Sequence, residues 1–218
     1  MKKNIIDQLV ITDVSRETSE FVQSLFEQNH KSYIRLVETW LTWNSRVNLF
    51  SKRTKGEDLF NHIIHSLYLV DSTGVINDKT LKIIDAGTGG GLPGLPMAIA
   101  CPDRIFYLVD KVLKKTLAIK DIIRSLSLSN VNVINQNIAD LQLNTPCRVV
   151  SKHAFPVRDL LISLDDEHVH EISMLKGDDI FLEINEDMLN NYKFSLQRFN
   201  FHENPFFQNK YIVHIHRQ

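Results

Sequence analysis

An α/β fold with a mostly parallel sheet is predicted by three features of this 218-residue sequence. Short runs of β-branched and aromatic residues recur through the second half of the chain. Longer segments between these runs have the apolar spacing of amphipathic helices. A dense cluster of glycines directly follows the first run. Alternation of strand and helix is typical of a parallel sheet that is covered by helices on both faces.

The first part of the chain, residues 1–76, is predicted to form a helical cap. Apolar residues recur there at the spacing of helix faces. The three stripes lie within 21–26, 33–41 and 59–67. Gly74 and the pair Asn77 and Asp78 predict that the last of these helices ends in a turn.

The remainder, residues 77–218, is predicted to form a Rossmann-like domain with a seven-stranded, mostly parallel sheet. The first five β-rich runs are 81–86, 105–110, 131–134, 147–151 and 179–184. Helical spacing over 111–127 predicts a helix after the second run. The segments 194–201 and 211–216 alternate between apolar and polar residues, which predicts an antiparallel hairpin at the edge of the sheet.

Composition excludes several classes of protein. The formal net charge is −1, so a nucleic-acid partner would require a local basic surface rather than a basic chain. No run of about 18 apolar residues predicts a membrane span, and the N-terminus does not resemble a secretory signal. Cys101 and Cys147 lie in apolar segments, and we expect both to be reduced core residues of a cytoplasmic protein.

Residues 85–96 read DAGTGGGLPGLP and hold five of the eight glycines in the chain. A strand, a glycine-rich turn and a helix in this order open a nucleotide-binding βαβ unit. Gly89, Gly91 and Gly94 match the G-x-G-x-x-G dinucleotide fingerprint, which is a weak signal by itself. Glycines at this density predict that a ligand lies close to the backbone.

Two acids indicate which ligand this is. Asp85 closes the strand before the glycines and would repel a pyrophosphate, which argues against NAD. The sulfonium and ammonium groups of S-adenosylmethionine (SAM) would instead be attracted to this carboxylate. Asp110 ends the second strand, where an acid can accept both ribose hydroxyls or can cap the following helix.

Five segments resemble the RsmG (GidB) methyltransferases over about residues 30–185. They are WNSRVNLF (43–50), HIIHSL (62–67), DAGTGGGLPGLPMAIACPD (85–103), LVDKVLKKTLAIK (108–120) and VVSKHAFPVRDLL (149–161). The resemblance implies a SAM-dependent methyltransferase fold. It also implies methyl transfer from SAM to N7 of a guanine in bacterial 16S ribosomal RNA.

The resemblance adds residues to the predicted cofactor site. Gly87 and Leu92 match SAM-contacting loop positions of the family, and Ile138 and Ala139 match the pair beside the adenine. Lys152 matches a functional arginine in the family's S-R-A motif. The complete predicted SAM site is Asp85, Gly87, Gly89, Gly91, Leu92, Asp110, Ile138, Ala139 and Lys152.

The same resemblance implies an RNA partner, either 16S rRNA or a precursor of the small ribosomal subunit. Lys114 matches a basic position in a G-K-R motif of the family, and Asn44 and Asn48 match asparagines of its N-terminal motif. We predict RNA contacts at Asn44, Arg46, Lys114 and Lys115. Further basic residues of the predicted footprint are Lys52, Arg53, Lys55, Lys111 and Lys120. We expect a monomer that does not bind membranes.

This sequence departs from the family at several of these positions. Lys152 replaces an arginine and loses its planar fork, Asn137 replaces another arginine, Ala139 replaces an acid, and Leu113 replaces the glycine of G-K-R. These departures leave two alternatives open: a SAM-dependent enzyme with another substrate, and a SAM-binding module that has lost catalysis.

No catalytic base is predicted, because guanine N7 carries a free lone pair and its methylation needs no prior removal of a proton. Lys152 could contact an RNA phosphate, guanine O6 or the SAM carboxylate. His62 and His65 are spaced i, i+3 on a predicted helix, but nothing completes a metal site, so we predict none. We expect Trp40 in the core and His214 and His216 on the surface; Trp43 could pack or stack on a base.

Overall fold

The computed structural model describes residues 9–51, 53–72, 81–200 and 204–218. Its strands are β1 (Val10–Asp13), β2 (Lys82–Ala86), β3 (Phe106–Val109), β4 (Val131–Ile134), β5 (Cys147–Lys152), β6 (Val169–Gly177), β7 (Tyr192–Arg198) and β8 (Lys210–Arg217). Its helices are α1 (Arg16–Gln28), α2 (His30–Asn44), α3 (Gly56–Ser72), α4 (Gly94–Ala100), α5 (Leu113–Leu126), α6 (Val157–Ser163), α7 (Ile180–Glu183) and α8 (Glu186–Asn191). The helix predicted over 111–127 corresponds to α5. Single 3₁₀ turns cover Ile138–Asp140 and Pro205–Phe207.

The eight strands form one sheet in the order β1-β7-β8-β6-β5-β2-β3-β4. Strand β8 is antiparallel to its neighbours β6 and β7, and the other pairs are parallel. The predicted α/β class and mostly parallel sheet are therefore confirmed, with eight strands instead of seven. The additional strand is β1, which comes from the segment predicted to be entirely helical and pairs in parallel with β7.

One strand was predicted in the wrong place. The segment 179–184 contains the short helix α7, not a strand, and the strand that precedes it is β6. Six consecutive residues of β6 are buried. Because β6 is covered on both faces, it lacks the alternation of a half-buried strand, and its sequence gives little periodic signal.

The last two strands do pair in antiparallel fashion, as predicted, but neither lies at the edge of the sheet. Strand β8 is inserted between β6 and β7, and β1 covers β7. The surface position expected for His214 is consequently wrong: its side chain is buried, and its Nδ1 lies 2.9 Å from Oε1 of Glu171 and 2.8 Å from Oγ of Ser173. His216 is exposed, as expected.

Helices cover both faces of the sheet. Helices α1 to α5 share one apolar core with one face, and α6 to α8 pack on the other. Trp40 is completely buried in the first core, and Cys101 and Cys147 are buried free thiols, which confirms these predictions. The predicted turn at Gly74, Asn77 and Asp78 and the boundary between 76 and 77 lie outside the described residues. No helix in the described ranges has the length and apolarity that crossing a bilayer requires.

Candidate active site

A cavity of about 640 Å³ opens at the carboxyl ends of the central strands. The strand order reverses between β2 and β5, and ligands of open α/β sheets bind at such a reversal. The walls come from the glycine-rich loop after β2, the residues after β3 and β4, and residues 152–156 at the end of β5 and beyond it. Leu49 and Phe50, which follow α2, close a further side.

The glycine-rich loop lies pressed between its neighbours. Gly87 has a φ of 68°, a left-handed conformation that favours glycine, and its N–H donates to the carbonyl oxygen of Val109 at 2.9 Å. A Cβ at this position would lie 2.7 Å from Cβ of Ala154 and 2.7 Å from the ring of Phe155. Glycine is therefore required here both by the backbone and by the loop after β5.

Asp85 lies beneath this loop rather than on the cavity wall. Its side chain is fully buried, and Oδ2 accepts hydrogen bonds from Oγ1 of Thr88 at 2.6 Å and from the N–H of Gly94 at 2.8 Å. Oδ1 has no hydrogen-bond partner among the described residues. Burial raises the pKa of Asp85 to about 7, against the opposing effect of the two hydrogen bonds. In this position the carboxylate joins the start of the loop to the start of α4.

Asp110 lies on the cavity wall, where both of its carboxylate oxygens accept hydrogen bonds from the backbone. Its Oδ1 accepts from the N–H of Val112 at 2.8 Å, next to the start of α5, and its Oδ2 accepts from the N–H of Gly89 at 2.9 Å. Each carboxylate oxygen has a second lone pair, so the side chain retains acceptor capacity towards a ligand.

The N-terminal helices hold the glycine-rich loop from the opposite side. Nε1 of Trp40 donates to the carbonyl oxygen of Gly90 at 2.7 Å, and the ring of Phe50 packs on Gly90 so closely that a Cβ there would lie 2.6 Å from it. Asn44, predicted to contact RNA, uses its Oδ1 to accept the N–H of Phe50 at 2.9 Å. The placement of Asn44 therefore supports the cavity wall, and its amide N–H groups have no hydrogen-bond partner among the described residues.

The remaining predicted cofactor residues fall into two sets. Gly89, Leu92, Ile138 and Lys152 line the cavity together with Gly87 and Asp110, whereas Gly91 and Ala139 do not. Ile138 is buried and Ala139 is exposed, so only the first presents an apolar side chain to the cavity. Asn137 also lines the cavity.

The end of the cavity next to β5 carries amine and imidazole groups. Nζ of Lys152 lies 2.9 Å from Nδ1 of His65 on α3, and His62 and His153 line the cavity beside it. Burial lowers the pKa of His62 to about 3, and nearby Lys152 lowers it further. Burial also lowers the pKa of Lys152 and of the fully buried His65 well below their ordinary values.

A buried ion pair outside the cavity fixes the loop after β5. Nζ of Lys176 donates to Oε1 of Glu183 at 2.5 Å and to the carbonyl oxygen of Phe155 at 3.1 Å. Oε2 of Glu183 accepts the N–H of Val157 at 2.7 Å. The pair thus holds both sides of Pro156. Neither residue was predicted, because no motif marks a lysine and a glutamate that act on a distant loop.

Some of the predicted RNA residues line the cavity, and others are exposed elsewhere. Lys111 and Lys115 line the cavity, while Lys114 is exposed outside it. Arg46 is exposed, with its guanidinium 5.9 Å from the ring centre of Trp43, whose Nε1 donates to Asp121 at 3.1 Å. Arg53, Lys55 and Lys120 are exposed, and Lys52 lies outside the described residues. Among the described residues, no three potential metal ligands come together.

Comparison with known proteins identifies the family. A family model described as GidB, rRNA small subunit methyltransferase G, matches residues 27–205. The chain belongs to the GidB family. A ribosomal RNA small subunit methyltransferase G of Christiangramia forsetii is 31% identical over 205 residues, which cover 90% of this chain and 94% of that protein. Its counterpart in Bacteroides fragilis is 30% identical over 207 residues, covering 90% and 97%.

Solved structures support the fold of this GidB protein. The METTL16 MTase domain aligns with a TM-score of 0.58 at 14% identity, covering 84% of this chain and 78% of that one. An rRNA methylase from Streptococcus thermophilus aligns with a TM-score of 0.50 at 14% identity, covering 67% and 92%. At this level of identity the likeness extends to the methyltransferase fold and no further.

Proposed function

We propose that this GidB protein transfers a methyl group from SAM to N7 of a guanine in small-subunit ribosomal RNA. The observation that carries the proposal is the glycine-rich loop, which is bent over a cavity at the strand-order reversal of a chain from this family. We also propose that the enzyme acts in the cytoplasm, where ribosomal RNA is available, and that it acts as a monomer.

The cavity has the groups that SAM requires. Gly87, Gly89 and Leu92 offer a close-lying backbone to the methionine part, supported from below by Asp85 and by the turn at Gly91. Asp110 retains acceptor capacity for the ribose hydroxyls. Ile138 offers an apolar surface to the adenine, with Ala139 next to it. When bound, SAM supplies an electrophilic methyl group on a sulfonium.

The protein's own contribution to the reaction is positioning. Guanine N7 attacks through a lone pair that is already free, so the site needs no general base, and alignment of the reacting atoms supplies most of the acceleration. Lys115 and Lys111 on the cavity wall, with Lys114 and Arg46 outside it, would neutralise RNA phosphates at the mouth. The amide N–H groups of Asn44 would add a polar contact.

Methyl transfer to RNA tests the proposal directly. Small subunits and naked rRNA would be prepared from a strain that lacks its own enzyme and incubated with tritiated SAM. We expect label at a guanine N7. The variant Asp110→Ala should bind SAM about 10- to 100-fold more weakly, as expected for the loss of charge-assisted hydrogen bonds. Asp103→Ala, at an exposed acid, is the matched control and should behave like the wild type.

Other outcomes would support the alternatives. Label in another RNA or in a small molecule, with none in the small-subunit rRNA, would indicate a different substrate. Calorimetric binding of SAM without transfer to any RNA would indicate a binding module, and the departures at Asn137, Ala139 and Lys152 would then be the first positions to revert.

A further inference from the structure

We propose that Lys152, held in place by His65, donates a hydrogen bond to O6 of the target guanine and thereby selects guanine over adenine. The inference rests on the proposed function, since it assigns a role to Lys152 within the same site. His65 is a positioning residue in this scheme, because it acts on the base only through Lys152.

The contact between the two side chains fixes the lysine head. Lys152 is the last residue of β5, which borders β2 at the strand-order reversal, and its Nζ lies 2.9 Å from Nδ1 of His65. This is the one hydrogen bond that Lys152 makes through its side chain within the described residues. A lysine at this position would otherwise have many rotamers available, so the contact limits where its N–H groups point.

Two N–H bonds of Lys152 remain for a ligand when it is an ammonium, and also when it is a neutral amine beside a His65 that carries its proton on Nδ1. As an ammonium, Lys152 donates one N–H to Nδ1 of His65 and keeps two. As a neutral amine, it accepts from Nδ1–H through its lone pair and again keeps two. In both cases its lone pair is absent or engaged, so the group can donate to a ligand but cannot accept from one.

The side chain of His65 is held in place by the aromatic residues that surround it. Its side chain is completely buried, and its ring centre lies 5.1 Å from that of Phe199, 5.9 Å from Phe206 and 5.8 Å from Phe207. Burial lowers the pKa of His65 well below its ordinary value, so the ring is neutral and offers Nδ1 as a single donor or acceptor.

The surroundings of Lys152 supply no acid to take the remaining N–H groups. His62 and His153 are its neighbours on the cavity wall, Lys210 also lowers its pKa, and no carboxylate in the described parts of the chain hydrogen-bonds to Lys152 or His65. The remaining N–H groups of Lys152 therefore face the cavity, where solvent or the acceptor of a ligand can take them.

Guanine O6 is the acceptor that fits best. O6 is next to N7 on the same edge of the base, so a donor beside the reacting nitrogen meets it. Adenine presents an N6 amine at that place, and two donors would then face each other. Phosphates have other partners available in Lys111 and Lys115, which line the cavity after β3. The SAM carboxylate is the remaining competitor and is separated by the test.

The test changes the base and the lysine independently. Substrate rRNA would carry guanine, 2-aminopurine or inosine at the methylated position; 2-aminopurine lacks O6, whereas inosine keeps it. We expect kcat/KM of the wild type to fall about 10- to 100-fold with 2-aminopurine, as for one lost base contact, and to stay near the guanine value with inosine. Lys152→Met should have a low kcat/KM with guanine, and its kcat/KM with 2-aminopurine should be the same.

His65 is tested by the same ratio of guanine to 2-aminopurine, which a loss of stability alone would not change. His65→Leu removes Nδ1 and should reduce the ratio towards one. His65→Asn places an amide near the position of Nδ1 and should restore most of it. Lys152→Gln, which keeps an N–H donor, provides a second variant should Lys152→Met be too unstable to assay.

Three results would overturn the inference. The wild type could methylate guanine and 2-aminopurine equally well, the Lys152→Met loss could be the same on both bases, or its whole effect could be a weaker calorimetric affinity for SAM. The last two would assign Lys152 to a phosphate or to the SAM carboxylate. If the wild type labelled no guanine-containing rRNA at all, the proposed function itself would fail.

Discussion

The two ends of the cavity differ in how their polar side chains are hydrogen-bonded. At the end next to β3, carboxylates accept hydrogen bonds from the backbone: Asp85 holds Thr88 and Gly94, and Asp110 holds Gly89. At the end next to β5, Lys152 and His65 bond to each other without an acid among the described residues. The first end is paired mainly within the protein, with Oδ1 of Asp85 left without a partner among the described residues, whereas the second presents lysine N–H groups to the cavity.

This difference indicates how the two ends divide the work. An end whose polar groups are already paired can hold a cofactor by shape, with little rearrangement on binding. An end with unpaired donors gains most from a ligand that carries acceptors and rejects one that does not. On the proposed function, the cavity therefore pairs a preformed end for SAM with an end that is suited to discriminate between substrates.

The largest effect is expected at the preformed end, from Gly87→Ala. The change forces a left-handed φ on a residue with a Cβ and brings that Cβ to 2.7 Å from Ala154 and Phe155. The left-handed backbone conformation alone costs a residue with a Cβ about 1–2 kcal/mol, and the close contacts add to this cost. We expect calorimetric affinity for SAM to fall at least about tenfold.

Gly56→Ala is the matched control for this change. A Cβ at Gly56, the first residue of α3, would lie 3.8 Å from the side chain of Leu41, which is ordinary contact. Its affinity for SAM should equal that of the wild type. Unchanged affinity in Gly87→Ala would mean that the loop is not held against the segment after β5, and the contrast between the two ends would be lost.

A second prediction concerns the pH dependence of the preformed end. The pKa of Asp85 is raised to about 7 in the folded protein, so its contribution to stability is present below the ordinary pKa and is lost as pH rises towards 7. Between pH 5 and pH 8 this group should lower the free energy of unfolding by roughly 3 kcal/mol. Asp85→Asn keeps an acceptor for Thr88 and Gly94 and should not show this loss.

Urea unfolding at the two pH values measures the difference. Asp103→Asn, at an exposed acid, should follow the wild-type pH dependence. A wild-type stability that is as high at pH 8 as at pH 5, relative to Asp85→Asn, would show that Asp85 is ionised at no cost in its buried position.

The same contrast explains how much of the site could be predicted from the sequence. The preformed end is local: Asp85, Gly87 and Gly94 lie within ten positions, and Asp110 ends the next strand, so spacing and strand order were sufficient to bring them together. The β5 end joins α3 to β5 across 87 positions, and only the fold brings His65 to Lys152. From the sequence, His65 could be considered only as a possible metal ligand together with His62.

The fold shows the same limit of local information. Strands β2 to β5 and helix α5 alternate in the regular order of a βαβ sheet, and their patterns located them correctly. All four residues of β1 are exposed and six consecutive residues of β6 are buried, so neither strand has an alternating pattern. The insertion of β8 between β6 and β7 is decided by packing, which no local pattern reports, and it is this insertion that buries His214.

The smallest effect is expected from the β5 end, with the opposite dependence on pH. Burial, Lys152, His153 and Lys210 lower the pKa of His62 to about 3, while Asp58 opposes them. A depressed histidine pKa contributes stability above its ordinary value and loses it as pH falls. Between pH 7 and pH 5 the loss should be roughly 2 kcal/mol, and His62→Gln should not show it. His216→Gln, at an exposed histidine, is the control.

If wild type and His62→Gln lose stability in parallel on acidification, His62 takes up its proton without cost. The β5 end would then be open to solvent and would not need an acceptor from the substrate.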